Sequence, residues 1–121
     1  MAEHVHLERV YERQPGARHG VLVDRVWPRG IRKDQLGADL WLREIGPSND
    51  LRKWFGHRPD RWEEFRRRYR SELQQPQQLE LIGQLIELAR KGPLTLLYGA
   101  RDKERNQAVV LRELVEERLG S

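Results

Sequence analysis

Cysteine is absent from the sequence, and that one absence removes several chemistries together. It leaves no thiolate nucleophile, no disulfide framework and no cysteine-ligated zinc or iron–sulfur centre. Small secreted domains usually need disulfide staples, so the absence fits a reducing compartment. Long apolar runs are also lacking, so no segment is suited to spanning a bilayer. The opening residues Met1-Ala2-Glu3-His4-Val5-His6 do not follow the basic-then-apolar plan of a signal peptide. A cytoplasmic protein without a membrane partner is expected. Glycine-rich fingerprints are missing too. Neither GxGxxG nor Walker A occurs, and there is no GxSxG elbow. No cofactor is expected. His4 and His6 share one strand face, but they have no third ligand beside them, so no metal site is expected either.

Lysine is scarce. Lys33, Lys53, Lys91 and Lys103 are the only ones, so the net charge of +4 is carried almost entirely by arginine. The guanidinium fork matches phosphate oxygens bidentately, which makes phosphate recognition one reading of this bias. An arginine-rich genome is the plainer reading for the bulk of them. What is present in quantity is ordinary core material: 37% hydrophobic residues and four tryptophans, too much for a disordered chain. The length suits one domain, residues 1–121, around a single core.

Periodicity gives the elements. Val5 to Val10 alternates apolar and polar residues, the pattern of a half-buried strand. Pro15-Gly16 signals a turn. Gly20 to Val26 reads as a second strand whose consecutive Val21, Leu22 and Val23 need cover on both faces, as in a parallel sheet. Arg32 to Gly37 has room for one helical turn. Leu40 to Ile45 reads as a third strand. Ser48 then caps a short helix through Leu51, Trp54 and Phe55, ended by Gly56. Pro59 opens a helix whose Trp62, Phe65, Tyr69 and Leu73 fall on one face. Gln74 to Gln78 reads as a break. Leu79 to Ala89 forms another amphipathic helix, and Leu94 to Tyr98 is the clearest strand. Val109 to Leu119 closes the chain as a helix. Strands alternating with helices predict an α/β fold: a single compact domain with a mainly parallel sheet of about four strands flanked by helices. The direction of the first strand stays open, because the loop from Tyr11 to His19 suits an antiparallel hairpin at least as well as a crossover.

In an open parallel sheet, ligands bind beyond the carboxyl ends of the strands. Three polar segments fall there: Arg25-Val26-Trp27-Pro28-Arg29-Gly30, Gly46-Pro47-Ser48-Asn49-Asp50, and Gly99 to Asn106. Their convergence predicts a cationic pocket. Arg25, Arg29 and Arg101 would supply charge-assisted hydrogen bonds. Ser48 and Asn106 would mark helix starts with free N–H groups. Trp27 would cover a flat ring, and Asp24 would orient an arginine or act as a base. Each has a structural alternative: Ser48 and Asn106 as helix caps, Trp27 as core, Arg25 as the partner of Asp24 or of a helix C-terminus. Trp54-Phe55-Gly56-His57 adds a hydrophobic wall beside an imidazole, the side chain whose ordinary titration lies nearest physiological pH. Asp24 and His57 are therefore the acid–base candidates. A second function class, a non-catalytic binder of nucleic acid or protein, would use the arginines of residues 66–70. The acidic Glu63, Glu64 and Glu72 interspersed along the same helix make a solvated face the better default.

These same motifs resemble a known family. Val23 to Gly30, then Pro47-Ser48 with Leu51 to His57, then Leu96 to Asp102 with Asn106 are similar to the YeaO-like bacterial proteins, a family of unknown function (domain of unknown function 488). The similarity runs in order from about Val5 to Leu119. It implies a compact cytoplasmic α/β domain and brings no established activity. A related branch resembles this one but has a cysteine at the end of its last strand and a Cys-His-Arg run at the next helix. The corresponding residues here are Leu97-Tyr98-Gly99 and Arg105-Asn106-Gln107, so a thiol mechanism would not carry over. The function expected from the sequence is a small-molecule-binding domain, with catalysis left open, that holds an anionic phosphate or carboxylate group at the carboxyl ends of the strands.

Overall fold

The computed structural model describes residues 5–14, 16–17 and 19–120. Pro15, half of the expected turn, and His4 lie outside the described residues. Four strands form one parallel sheet: β1 (Val5–Arg9), β2 (Val21–Leu22), β3 (Leu40–Trp41) and β4 (Leu94–Tyr98). The order across the sheet is β1-β4-β2-β3, with Val5 opposite Leu94, Val21 opposite Leu96 and Leu40 opposite Val21. Five helices accompany it: α1 (Lys33–Leu36), α2 (Asn49–Phe55), α3 (Trp62–Glu72), α4 (Pro76–Lys91) and α5 (Gln107–Leu119).

The alternation of side chains along each strand divides the core in two. Val5, Val21, Val23, Leu94, Leu96 and Tyr98 face the larger cluster, which α2 to α5 complete through Phe55, Phe65, Tyr69, Leu85 and Leu111. Leu22 and Leu97 face the other side, where Val10, Leu36, Trp27 and Ile31 cover them. The run Val21-Leu22-Val23 is apolar throughout because each face of β2 is covered, as the sequence predicts.

The antiparallel-hairpin alternative for the first strand fails. β1 and β2 are not neighbours, because β4 lies between them and pairs in parallel with both. The connection crosses the smaller core face. Its 3-10 turn, Val10–Glu12, buries Val10, and the Arg13 guanidinium ties the segment to the Leu36 carbonyl at 2.6 Å and the His19 carbonyl at 2.9 Å.

The middle strands are shorter than the pattern suggests. β2 ends at Leu22, although the Val23 N–H still donates to the Leu97 carbonyl at 3.0 Å. From Asp24 onward a side chain takes over the role of the ladder. β3 stops at Trp41 and the chain turns through a 3-10 segment, Arg43–Ile45. Its partner β2 has already ended, and Ile45 drops into the core, fully buried. The expected break at Gln74 to Gln78 is present but lies earlier, over residues 73–75, and α4 has already begun at Pro76. Pro76 occupies its first turn, where a missing N–H is harmless. The aromatic stripe of α3 packs as predicted, with Phe65 stacked on Phe55 at 4.3 Å and Tyr69 fully buried.

Candidate functional site

A cavity of about 520 Å³ opens at the carboxyl ends of the strands. Its floor comes from the ends of β2 and β4 and the start of α5, through Asp24, Gly99, Asn106 and Gln107. Its walls come from Trp27, Pro28 and Tyr11 and from Phe55 and His57 after α2. Four guanidinium side chains line it: Arg25, Arg29, Arg52 and Arg105. Asp24 is the only acid among the described lining residues.

Asp24 joins the three elements of the floor. Its Oδ2 accepts from the Gly99 N–H at 2.9 Å, and its Oδ1 accepts from the Gln107 side-chain amide. Gly99 has no alternative here, because a Cβ at that position would stand 2.9 Å from Asp24 Oδ2. Burial pushes the carboxyl up to about 6 from its ordinary 3.8, against the opposing pull of the Gly99 and Gln107 hydrogen bonds. The Asp24 carbonyl in turn accepts from the Trp41 indole at 2.7 Å.

Arg25 is committed to the chain. Its Nε donates to the Pro47 carbonyl at 2.7 Å and its Nη2 to the Gly46 carbonyl at 2.9 Å, with Glu44 at 3.5 Å. It locks the segment after β3 against the end of β2. Trp27 meets both readings at once. It packs on the smaller core cluster, and it lines the cavity with its indole N–H held by the Ile31 carbonyl at 2.6 Å and its ring edge-to-face with Trp41 at 5.2 Å.

Arg29 is different. Its carbonyl accepts from the Tyr11 hydroxyl at 2.8 Å, and Gly30 after it takes a left-handed φ of 79°. The backbone is therefore fixed while the guanidinium makes no ion pair or hydrogen bond among the described residues. Arg105 pairs with Asp102 at 3.2 Å, and Arg52 makes one 3.3 Å contact to Asn49.

His57 sits at the cavity mouth in a left-handed conformation, φ 58°, directly after Gly56 at φ 53°. Histidine tolerates that region better than most residues, yet it remains a strained choice. Asn106 is buried and caps α5. Its Oδ1 accepts from the Ala108 and Val109 N–H groups, and its Nδ2 donates to the Asp102 carbonyl at 2.8 Å. Its oxygen is fully used by the cap, and only one N–H of its buried amide is left over.

The structure thus brings Asp24, Arg25, Trp27, Arg29, His57 and Asn106 to one cavity and leaves out two residues expected there. Ser48 caps α2 by accepting from the Leu51 N–H at 3.2 Å, and its hydroxyl donates to Glu72 at 2.5 Å in a separate small hollow. Arg101 is exposed and does not line the cavity, while Arg105 does. Tyr11, Arg52 and Gln107 were not singled out from the sequence. Tyr11 follows β1, so it reaches this edge only because β1 is parallel. Arg52 lies one turn before Phe55 on α2, and that spacing was the signal available for it.

The arginines of α3 are engaged elsewhere. Arg66 meets Glu113 at 2.8 Å, and Arg70 meets Glu113 at 3.1 Å and Glu117 at 2.8 Å. Arg67 and Arg68 share Glu64, and Arg68 also lies over the Trp54 ring at 4.3 Å. Among the described residues, no helix is long and apolar enough to cross a membrane, and no cluster of His, Cys, Asp and Glu is placed to hold a metal ion.

The family model described as "Inactive DUF488-N3 subclade" matches residues 4–121. The chain belongs to that subclade. YeaO of Escherichia coli K12, an uncharacterised protein, is 43% identical over 112 residues, covering 90% of this chain and 94% of the relative. An uncharacterised protein of Mycobacterium tuberculosis H37Rv is 38% identical over 115 residues, covering 94% and 95%. No solved structure gives a significant match. Within this DUF488-N3 member, Arg105-Asn106-Gln107 lies at the junction of the cavity floor and the start of α5. The cap and the Asp24 partner are therefore adjacent residues.

Proposed function

We propose that this DUF488-N3 protein is a non-catalytic binding domain that holds a small anionic ligand, with a phosphate or carboxylate group, in the cavity at the carboxyl ends of the strands. The observation that carries the reading is the Arg29 guanidinium, unpaired among the described residues, on a fixed turn of the cavity that Arg52 and Arg105 also line. The fixed turn leaves only the side chain of that arginine to be ordered when an anion arrives. A cavity of about 520 Å³ falls within the roughly 300–1,000 Å³ range of small-molecule pockets.

Two observations favour binding over catalysis. The described cavity lining contains no serine, threonine, lysine or cysteine to act as a nucleophile. Asp24 is tied to the floor by Gly99 and Gln107 and has no serine, threonine or cysteine in the described lining to activate. The description of the subclade as inactive agrees with this.

The test is calorimetric titration with inorganic phosphate, pyrophosphate and small phosphate esters at low ionic strength. Arg29→Ala is expected to weaken binding by roughly 10–100-fold, the range for one charge-assisted hydrogen-bonding group. Arg101→Ala should leave it unchanged. Absence of binding, or an Arg29→Ala variant that binds as well as wild type, refutes the reading.

A further inference from the structure

Asp24 is out of place in a site built only for an anion. A carboxylate on the floor of an arginine-lined cavity repels a bare phosphate, and no guanidinium in the cavity pairs with it. Yet the fold goes to some length to keep it. Gly99 leaves room for nothing larger than hydrogen beside its Oδ2, and Gln107 is placed to donate to its Oδ1. An ionised carboxylate offers about four acceptor positions, and these two contacts use two of them. The remaining pair belongs to a residue that lines the cavity. Burial also holds the carboxyl above its ordinary range, so the two structural contacts alone do not satisfy the ionised form.

Beside it, Gln107 uses one N–H on Asp24, which leaves its Oε1 and second N–H without a partner among the described residues. Carboxylate and amide therefore stand side by side as a mixed acceptor–donor edge. Trp27 supplies a flat wall that cannot swing away, since its indole N–H is tied to Ile31 and its ring to Trp41.

We infer that the ligand is bipolar, with its anionic group on the Arg29 side of the cavity and a planar hydrogen-bonding ring reaching Asp24 and Gln107, and that nucleoside monophosphates are its chemical class. The inference rests on the anion-binding reading above and adds the second half of the ligand. The phosphate would take the guanidiniums, the base would present an N–H to Asp24, and the ring face would lie against Trp27. Asp24 acts as a specificity-determining residue and not as a base.

The experiment titrates wild type with the four common nucleoside 5′-monophosphates, ribose 5-phosphate and inorganic phosphate at one ionic strength, then repeats the series with Asp24→Asn. At least one nucleotide is expected to bind tenfold or more tightly than ribose 5-phosphate. In Asp24→Asn that preference should vanish, while inorganic phosphate binds as well as before or better, because a repelling charge has gone. Equal affinity for all the phosphate compounds overturns the inference but leaves the anion site standing. Equal weakening of phosphate and nucleotide in the variant also overturns it, because Asp24 would then act only through the fold. If no phosphate compound binds, the anion reading fails and takes the inference with it. Near-UV circular dichroism checks that the variant is folded; should it not be, the wild-type ligand series decides alone.

Discussion

Replacing Asp24 by asparagine should make the protein more stable at neutral pH and hardly change it in acid. The folded carboxyl titrates near 6 and the unfolded one near 3.8, because burial outweighs the Gly99 and Gln107 hydrogen bonds. Between those values the folded chain holds a proton that the unfolded chain has released. Stability therefore falls as pH rises through this window. It is fully present below about 3.8 and lost above about 6. A shift of that size corresponds to about 3 kcal/mol at roughly 1.4 kcal/mol per pH unit. The asparagine amide fits the same space without a charge. Its oxygen can accept from the Gly99 N–H, and its NH2 can donate to Gln107 once that side-chain amide turns over. The assay is urea unfolding followed by tryptophan fluorescence for both proteins between pH 4 and 8. Other carboxylates titrate in both chains, so the quantity to read is the difference between them. That difference should reach about 3 kcal/mol at pH 8, a midpoint shift of roughly 1–3 M urea. A difference that stays constant across the range, or a variant less stable at pH 8, refutes the reasoning.

Two further outcomes test the surroundings. Tyr69→Phe removes the buried hydroxyl that donates to the Ile45 carbonyl at 2.6 Å and leaves that carbonyl unpaired, so a loss of about 1–2 kcal/mol in denaturant unfolding is expected. His57→Gly relieves a left-handed residue at φ 58° and should raise stability by about 1 kcal/mol, an increase that thermal unfolding of the two proteins measures.

The parts of the fold that two-sided burial controls were readable in advance. Val21-Leu22-Val23 and Leu94 to Tyr98 are apolar on both faces and became the neighbouring inner strands. The stripe Trp62, Phe65, Tyr69 and Leu73 became the packed face of α3. Where pairing depends on a partner's length, the pattern misleads. Leu40 to Ile45 reads like a strand, but β2 has nothing left to offer beyond Val23. The site was legible where it hangs on those inner strands, at Asp24 to Arg29 and at Gly99 to Asn106. It was not legible at Tyr11, because the direction of an edge strand is not written in its own alternation. Ser48 sat in the right segment, yet its hydroxyl is turned toward Glu72, a partner that local spacing does not reveal, and within the last loop it is Arg105 and not the exposed Arg101 that lines the cavity.

The order β1-β4-β2-β3 has a consequence for how the molecule is made. The strand that joins the sheet together is the last of the four to be made, well after β3. Until Leu94 to Tyr98 emerges, β1 has no neighbour, and the β2–β3 pair is only two residues long. Productive folding is therefore held back until β4 has emerged. Long-range pairing of this kind folds slowly, and unpaired edges invite association with other chains. A nascent chain stalled before Leu94 would be a substrate for chaperones, whereas one released beyond α5 holds everything the sheet requires.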